Sequence, residues 1–305
     1  MVRFDAMTTL DQFREVERLE GEIWGPVDLV PVPILAVSIR RGAVLVGAFD
    51  GARLVGFVYS FPALRSSEAQ GGNGAGAVGG GDRQAGDTHD TQRPRSAPCE
   101  ASHWSHMLGV HPDYRGSGLG RDLKLAQRER VLALGLDLIE WTYDPLQSVN
   151  AHLNIVKLGA VVEEYEENVY GPSPSPLHGG LPTDRFICQW WIRRPHVARR
   201  IHPVGLPLVT REAAEAPVVN DARMDGEWLE PVGFDPSHRD PRIAVEIPLD
   251  YSLMIVKDPE RATRWRFHAR AVFRSYLEAG YRVVDFALDR VHQRGRYLLT
   301  NIPAD

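Results

Sequence analysis

Apolar positions recur along the chain in two rhythms, one of about 3.6 residues and one of two, and the places where they switch divide it into elements. Val2–Phe4 predicts a short first strand, and from Leu10 to Ile23 the helical rhythm follows. There Leu10, Phe13, Val16 or Glu17, and Glu20 mark the turns before Trp24-Gly25-Pro26 closes the helix. Ala43–Phe49 and Arg53–Tyr59 are β-rich and flank Asp50-Gly51, the strongest short hairpin signal a sequence offers. Met107, Leu108, Gly109 and Val110 predict another strand, broken by Pro112 and Asp113. The stretch 119–134 then sets Leu119, Leu123, Ala126 and Leu134 along one helical face. Gly135 suits the C-cap of that helix, and Leu138–Thr142 and Arg185–Ile192 predict further strands. A mixed α/β sheet is expected.

The remainder changes character twice. Residues 66–98 are rich in Gly, Ser, Asp and Gln with almost no large apolar side chain. They cannot bury enough surface to offset chain entropy, and a disordered insertion between two strands is expected. After a first unit over 1–195, the stretch 196–240 lacks clear periodicity and is expected to be a linker. The region 241–305 predicts a smaller β-α-β-β unit packed on the first. Its strands are Ile243–Ile247, Tyr281–Leu288 and Arg296–Thr300. Its helix is bounded by Asp258 as N-cap, Pro259 at the first helical position and Gly280 beyond the end. Arg261, Arg264, Arg266, Arg270 and Arg274 on that helix are expected to form a solvated face.

Composition narrows the class. With 305 residues, 43% of them hydrophobic, the chain can form a sizeable core. A net charge of −5 argues against nucleic acid as the main partner, since that partner demands a basic face. No run is long and apolar enough to span a bilayer, and no charged-then-apolar leader opens the sequence, so a cytoplasmic location without membrane attachment is expected. Cys99 and Cys188 cannot make a disulfide framework and are expected to be free thiols.

The segment His106–Arg121, HMLGVHPDYRGSGLGR, carries the chemistry. It places Gly116, Gly118 and Gly120 at a helix N-terminus, where backbone N–H groups lack helical partners and a pyrophosphate can approach if no Cβ blocks it. The spacing does not fit a dinucleotide fingerprint, which needs G-x-G-x-x-G after the first strand. Nor does it fit a P-loop, because Arg121-Asp122 stands where Lys-Ser/Thr is required. Arg115, Gly118 and Gly120 do resemble the coenzyme A signature of the GCN5-related N-acetyltransferase (GNAT) superfamily: Gln or Arg, two residues, Gly, one residue, then Gly or Ala. NAHLNIVKLGA, residues 150–160, resembles that superfamily's second conserved helix, with Leu158-Gly159 in place. Ile155 stands where the usual tyrosine would protonate the departing thiolate, and the usual asparagine is displaced to Asn150 or Asn154.

The resemblance implies a mainly antiparallel mixed sheet flanked by helices, and direct transfer from an acyl-CoA, acetyl-CoA or succinyl-CoA, to a small amine, with no metal. Some relatives of this branch are associated with N-acylation of amino acids, and a homodimer is compatible with the reading. Leu108 and Val110 would hold pantetheine and the oxyanion. Arg115, Gly116, Ser117, Gly118, Leu119, Gly120 and Arg121 would hold the pyrophosphate, with Asn150 or Asn154 beside it. His106 is the first candidate for the base, since an imidazole suits proton transfer near neutral pH. Glu140, Tyr143 and Asp144 follow as neighbours on the strand that splays from the motif strand. Arg185 and Arg242 are candidates to meet a succinyl carboxylate. The spacing of His103, His106 and His111 matches no familiar metal set. A coenzyme A-binding sensor without turnover is the competing class, motivated by Ile155.

Overall fold

The computed structural model describes residues 2–26, 29–66, 99–171, 179–202 and 211–303. Most of the insertion expected over 66–98 therefore lies outside the described residues. Strands β1 (Arg3–Ala6), β2 (Val44–Asp50), β3 (Arg53–Ser66), β4 (Cys99–Val110), β5 (Leu138–Tyr143), β6 (Val161–Glu166) and β7 (Arg185–Trp191) form the first part of one sheet. β10 (Arg242–Pro248), β11 (Arg282–Asp289) and β12 (Arg294–Thr300) extend it to ten strands in the order β1-β2-β3-β4-β5-β7-β6-β11-β12-β10. All neighbours pair antiparallel except β4 and β5. Helices α1 (Leu10–Trp24), α2 (Val32–Ile39) and α3 (Leu119–Ala133) flank its first half. The fold is thus mixed α/β with a mainly antiparallel sheet flanked by helices, as the sequence led us to expect.

The parallel pair sets the geometry of everything that follows. β4 and β5 pair only at His103↔Ile139 and Trp104↔Glu140, so from Ser105 onward the two strands diverge. Leu108 and Val110 of β4 pack toward the cluster that includes Leu119 and Leu123 of α3, whereas Met107 packs with Phe57, Tyr59 and the α1 side chains. Within β4, Tyr59↔Met107 is followed by Ser60↔Ser105, which leaves His106 as the extra residue of a β-bulge.

Three expectations change. Residues 196–240, read as a linker, hold α5 (Pro195–Ile201), α6 (Arg211–Glu215) and the hairpin of β8 (Asn220–Asp225) and β9 (Trp228–Phe234). Ala213, Val219 and Leu229 there are buried, so the described part, 196–202 and 211–240, is held by packing that its irregular pattern did not announce. A further helix, α7 (Tyr251–Lys257), precedes the expected one, α8 (Pro259–Glu278), whose Asp258 cap accepts the Arg261 N–H as foreseen. The arginine run on α8 is a solvated face only at Arg264 and Arg274, and every member is paired. Arg266 is buried against Asp144, Arg270 pairs with Asp184 and Glu167, Arg264 with Glu230, Arg274 with Glu167 and Glu278, and Arg261 with Asp225 and Glu230.

The seam between β6 and β11 is a single register pair, Val283↔Val162. Side chains reinforce it. Phe273 of α8 meets Phe186 of β7 at 4.7 Å between ring centres, edge to face, and Tyr297 of β12 meets both rings. The Tyr297 hydroxyl donates to the Pro145 carbonyl at 2.8 Å. Arg266 grips Asp144 with two bonds of 2.9 and 2.5 Å.

Candidate acyl-CoA site

β4 ends at Val110, and Pro112 opens a single 3-10 turn through Tyr114 that reverses the chain into the glycine segment. Gly116 and Gly118 adopt φ of 76° and 92°, a backbone region that an L side chain rarely enters, so glycine is demanded there by conformation. Gly118 is the N-cap of α3 and offers no side chain to cap the helix. The Arg121 N–H donates to the Gly118 carbonyl at 3.0 Å, which leaves the Leu119 and Gly120 N–H groups to whatever lies in front of them, and a Cβ at Gly116 or Gly118 would meet nothing within 4 Å. A Cβ at Gly120 would come within 3.6 Å of Leu108 and 3.9 Å of Leu153, an ordinary contact on the inner wall.

In front of this turn opens a cleft of about 980 Å³. One wall is the glycine turn with Leu108 and Val110; Ile23 and Trp24 of α1 close one side. The opposite wall comes from α4 (Ser148–Ala151), from the π-helical stretch His152–Lys157 that continues it, and from the C-terminal region through Leu249 to Ser252, Leu288, Arg290 and Gln293. Leu108, Val110, Arg115, Gly116, Gly118, Leu119, Gly120, Arg121 and Asn150, all expected at the cofactor, line it together. Ser117 and Asn154 do not. The Ser117 hydroxyl is turned back onto the Tyr114 carbonyl at 2.7 Å, and Asn154 is buried within the π-helical stretch. Arg121 is anchored to the Ile201 carbonyl at 2.6 Å, a bond from α3 to α5.

The candidates for proton transfer separate. His106, pushed out of register by the bulge, faces the α1 side with its ring against Tyr59 and Phe61, and burial of the imidazole holds its pKa below the ordinary value. Glu140 is committed to Arg65 at 3.1 Å, and burial raises its pKa against the opposing pull of Ser102 and Arg65. The Tyr143 hydroxyl is buried and 3.3 Å from that of Tyr297, with its pKa well above the ordinary value. Asp144 accepts from Arg266 and from the Leu146 N–H. Neither succinate candidate lines the cleft. Arg185 lies 3.9 Å from Asp144 and over the Tyr170 ring, and Arg242 pairs with Glu212 at the end of β10 remote from Leu249.

Two buried ionisable groups escaped the sequence reading because each sits in an ordinary helical pattern. Lys124 of α3 is buried with its ammonium 3.6 Å from the Trp141 ring and 2.8 Å from the Ser105 hydroxyl; burial lowers its pKa to about 7. Glu20 of α1 is fully buried, with one carboxylate oxygen accepting the Val30 N–H and the other without a hydrogen-bond partner among the described residues. Among the described residues no group of three or more His, Cys, Asp or Glu could hold a metal ion, and no helix is long and apolar enough to cross a membrane.

No family model matches the chain, and no curated protein does. Among solved structures it is similar to the acetyltransferase of the GNAT family from Streptococcus pneumoniae, at 15% identity over 62% of this chain and 98% of that one, with a TM-score of 0.42. It is similar also to the ribosomal-protein-S18-alanine N-acetyltransferase from Escherichia coli (12% identity, 63% and 94%, TM-score 0.42). A third likeness is to NAA60 of Arabidopsis thaliana in complex with acetyl-CoA (13% identity, 63% and 100%, TM-score 0.44).

Proposed function

We propose that the chain is an acyl-CoA-dependent N-acyltransferase of the GNAT type, acting by direct transfer on a small amine. The observation that carries this reading is the coincidence of an uncapped α3 N-terminus, two glycines at positive φ, and the gap between β4 and β5, all on one cleft. The helix N-terminus suits a pyrophosphate. The β4 edge from Ser105 to Val110, which β5 leaves unpaired, suits the amide groups of pantetheine as an added strand would.

His106 is the group proposed to take the proton of the acceptor amine. It sits on the same stretch of β4, on the face opposite Leu108 and Val110 and outside the cleft lining, and desolvation of its imidazole holds the pKa below the ordinary value. The hydroxyls that line the cleft are engaged: Tyr114 donates to Asp50, Ser148 to the Leu249 carbonyl, Tyr251 to the Ala262 carbonyl and Ser252 to Gln147. With Ile155 buried where a tyrosine was expected, the departing thiolate takes its proton from water, a modest demand for a group with a pKa of about 8.5. Acetyl is the favoured donor, because Arg185 and Arg242 stand outside the cleft lining. Release of free thiol from acetyl-CoA and succinyl-CoA against a panel of small amines tests the reading. Amine-dependent turnover supports it, a higher kcat/KM with succinyl-CoA moves the donor assignment, and binding of coenzyme A without any turnover supports the sensor class.

A further inference from the structure

We propose that the C-terminal region supplies half of a second anion subsite in this cleft, in which Arg290 and Lys157 bind the 3′-phosphate of coenzyme A. The inference rests on the acyl-CoA reading above. The glycine turn accounts for a pyrophosphate only, whereas coenzyme A carries a third phosphate, a monoester on the ribose that is close to dianionic at neutral pH. Four cationic side chains line the cleft, Arg115, Arg121, Lys157 and Arg290, against one carboxylate, Asp250. Arg115 and Arg121 belong to the glycine turn. The other two belong to different parts of the chain, Lys157 to the π-helical stretch and Arg290 to the turn between β11 and β12, and the β6–β11 seam brings them together.

Neither Lys157 nor Arg290 has a carboxylate partner among the described residues. The arginines next in line do: Arg294 and Arg296 both hold Glu246. Asp250 does not compete, because its carboxylate caps α7 by accepting the Leu253 N–H at 3.0 Å. Lys157 and Arg290 both line the cleft with His152, whose pKa is lowered first by burial and then by their charges. Two exposed cations beside a half-buried imidazole, without a carboxylate partner among the described residues in a chain with more acidic than basic residues, suit an anion supplied from outside the chain.

Titration calorimetry of the full chain with coenzyme A and with 3′-dephospho-coenzyme A tests the proposal. The parent protein is expected to bind coenzyme A on the order of 10-fold or more tightly than the dephospho form, the scale of charged hydrogen bonds to one phosphate. Arg290→Gln and Lys157→Gln should each narrow that ratio. The double variant should bind both ligands alike, with its affinity for the dephospho form unchanged. Parent protein that binds both ligands equally well, or variants that weaken both equally, would overturn the subsite while leaving the acyl-CoA reading standing. Absence of any coenzyme A binding would overturn both.

Discussion

The two walls of the cleft are built by opposite strategies. The glycine wall is continuous in sequence: it runs from Leu108 to Arg121 through strand, turn and helix, and in the proposed reading its backbone meets the cofactor. The facing wall is assembled from α4, the π-helical stretch, the β10–α7 connection and the β11–β12 turn, and it presents side chains, among them the proposed pair Lys157 and Arg290. A backbone site survives most side-chain changes but not the loss of a required glycine conformation. A side-chain site can be altered one charge at a time, and it exists only while β11 and α8 stay docked on β6 and β7.

This contrast can be broken at several points. The largest effect belongs to the β4 bulge, on the strand face opposite Leu108 and Val110. His106→Gln keeps a hydrogen-bonding side chain but cannot take a proton near pH 7, so turnover should fall by about 10²–10⁴ with coenzyme A affinity unchanged, as steady-state kinetics and calorimetry would show. A near-normal rate with the parent's pH profile would remove His106 from the proton path.

The docking of the second wall is tested by Arg266→Met. The change leaves Asp144 buried with the Leu146 N–H and a distant Arg185, and breaking a buried pair on one side costs about 3–5 kcal/mol. Urea unfolding should register that loss. A loss below about 1 kcal/mol would mean that the ion pair does not hold the seam.

The smallest effect concerns Glu20, whose carboxyl is pushed up to about 7, chiefly by burial, against the Val30 hydrogen bond. In the unfolded chain its pKa is near 4.3, so between these values the folded state holds a proton that the unfolded state has released, and stability falls as pH rises through that window. Glu20→Gln abolishes this dependence. It should exceed the parent in stability by on the order of 1–3 kcal/mol above pH 7 and match it near pH 4. Parallel stability–pH curves for the two proteins would contradict the assignment.

The glycine wall was legible in the sequence because its physics is local. Positive φ, an uncapped helix and a preceding apolar strand each leave a mark within a few residues, and Leu108, Arg115, Gly118 and Gly120 fell where those marks placed them. The bounds of α8 were legible for the same reason, from Asp258, Pro259 and Gly280. What α8 does was not. Its arginines read as solvated because their partners, Asp144, Asp184 and Glu230, lie between 34 and 122 residues away. Glu140, Tyr143 and Asp144 were drawn to the site by the splay of β5, yet sequence could not show that Arg65, Tyr297 and Arg266 engage them. Arg290 left no local signal, since a charged residue in a turn between two strands is ordinary until topology sets it across from Lys157.

Coenzyme A binding by the glycine turn is the claim on which the rest depends, and Gly120→Asp addresses it most directly. Unlike Gly118, Gly120 does not require a positive φ, and the added Cβ finds only ordinary contacts with Leu108, Leu153 and Val110 in the cleft lining, so the fold should persist while a carboxylate enters the cleft at the first turn of α3. Calorimetric titration should show parent protein binding coenzyme A and the variant, with unchanged thermal unfolding, binding it about 100-fold or more weakly. A folded Gly120→Asp protein with the parent's affinity, or a parent that binds no coenzyme A, would contradict the account.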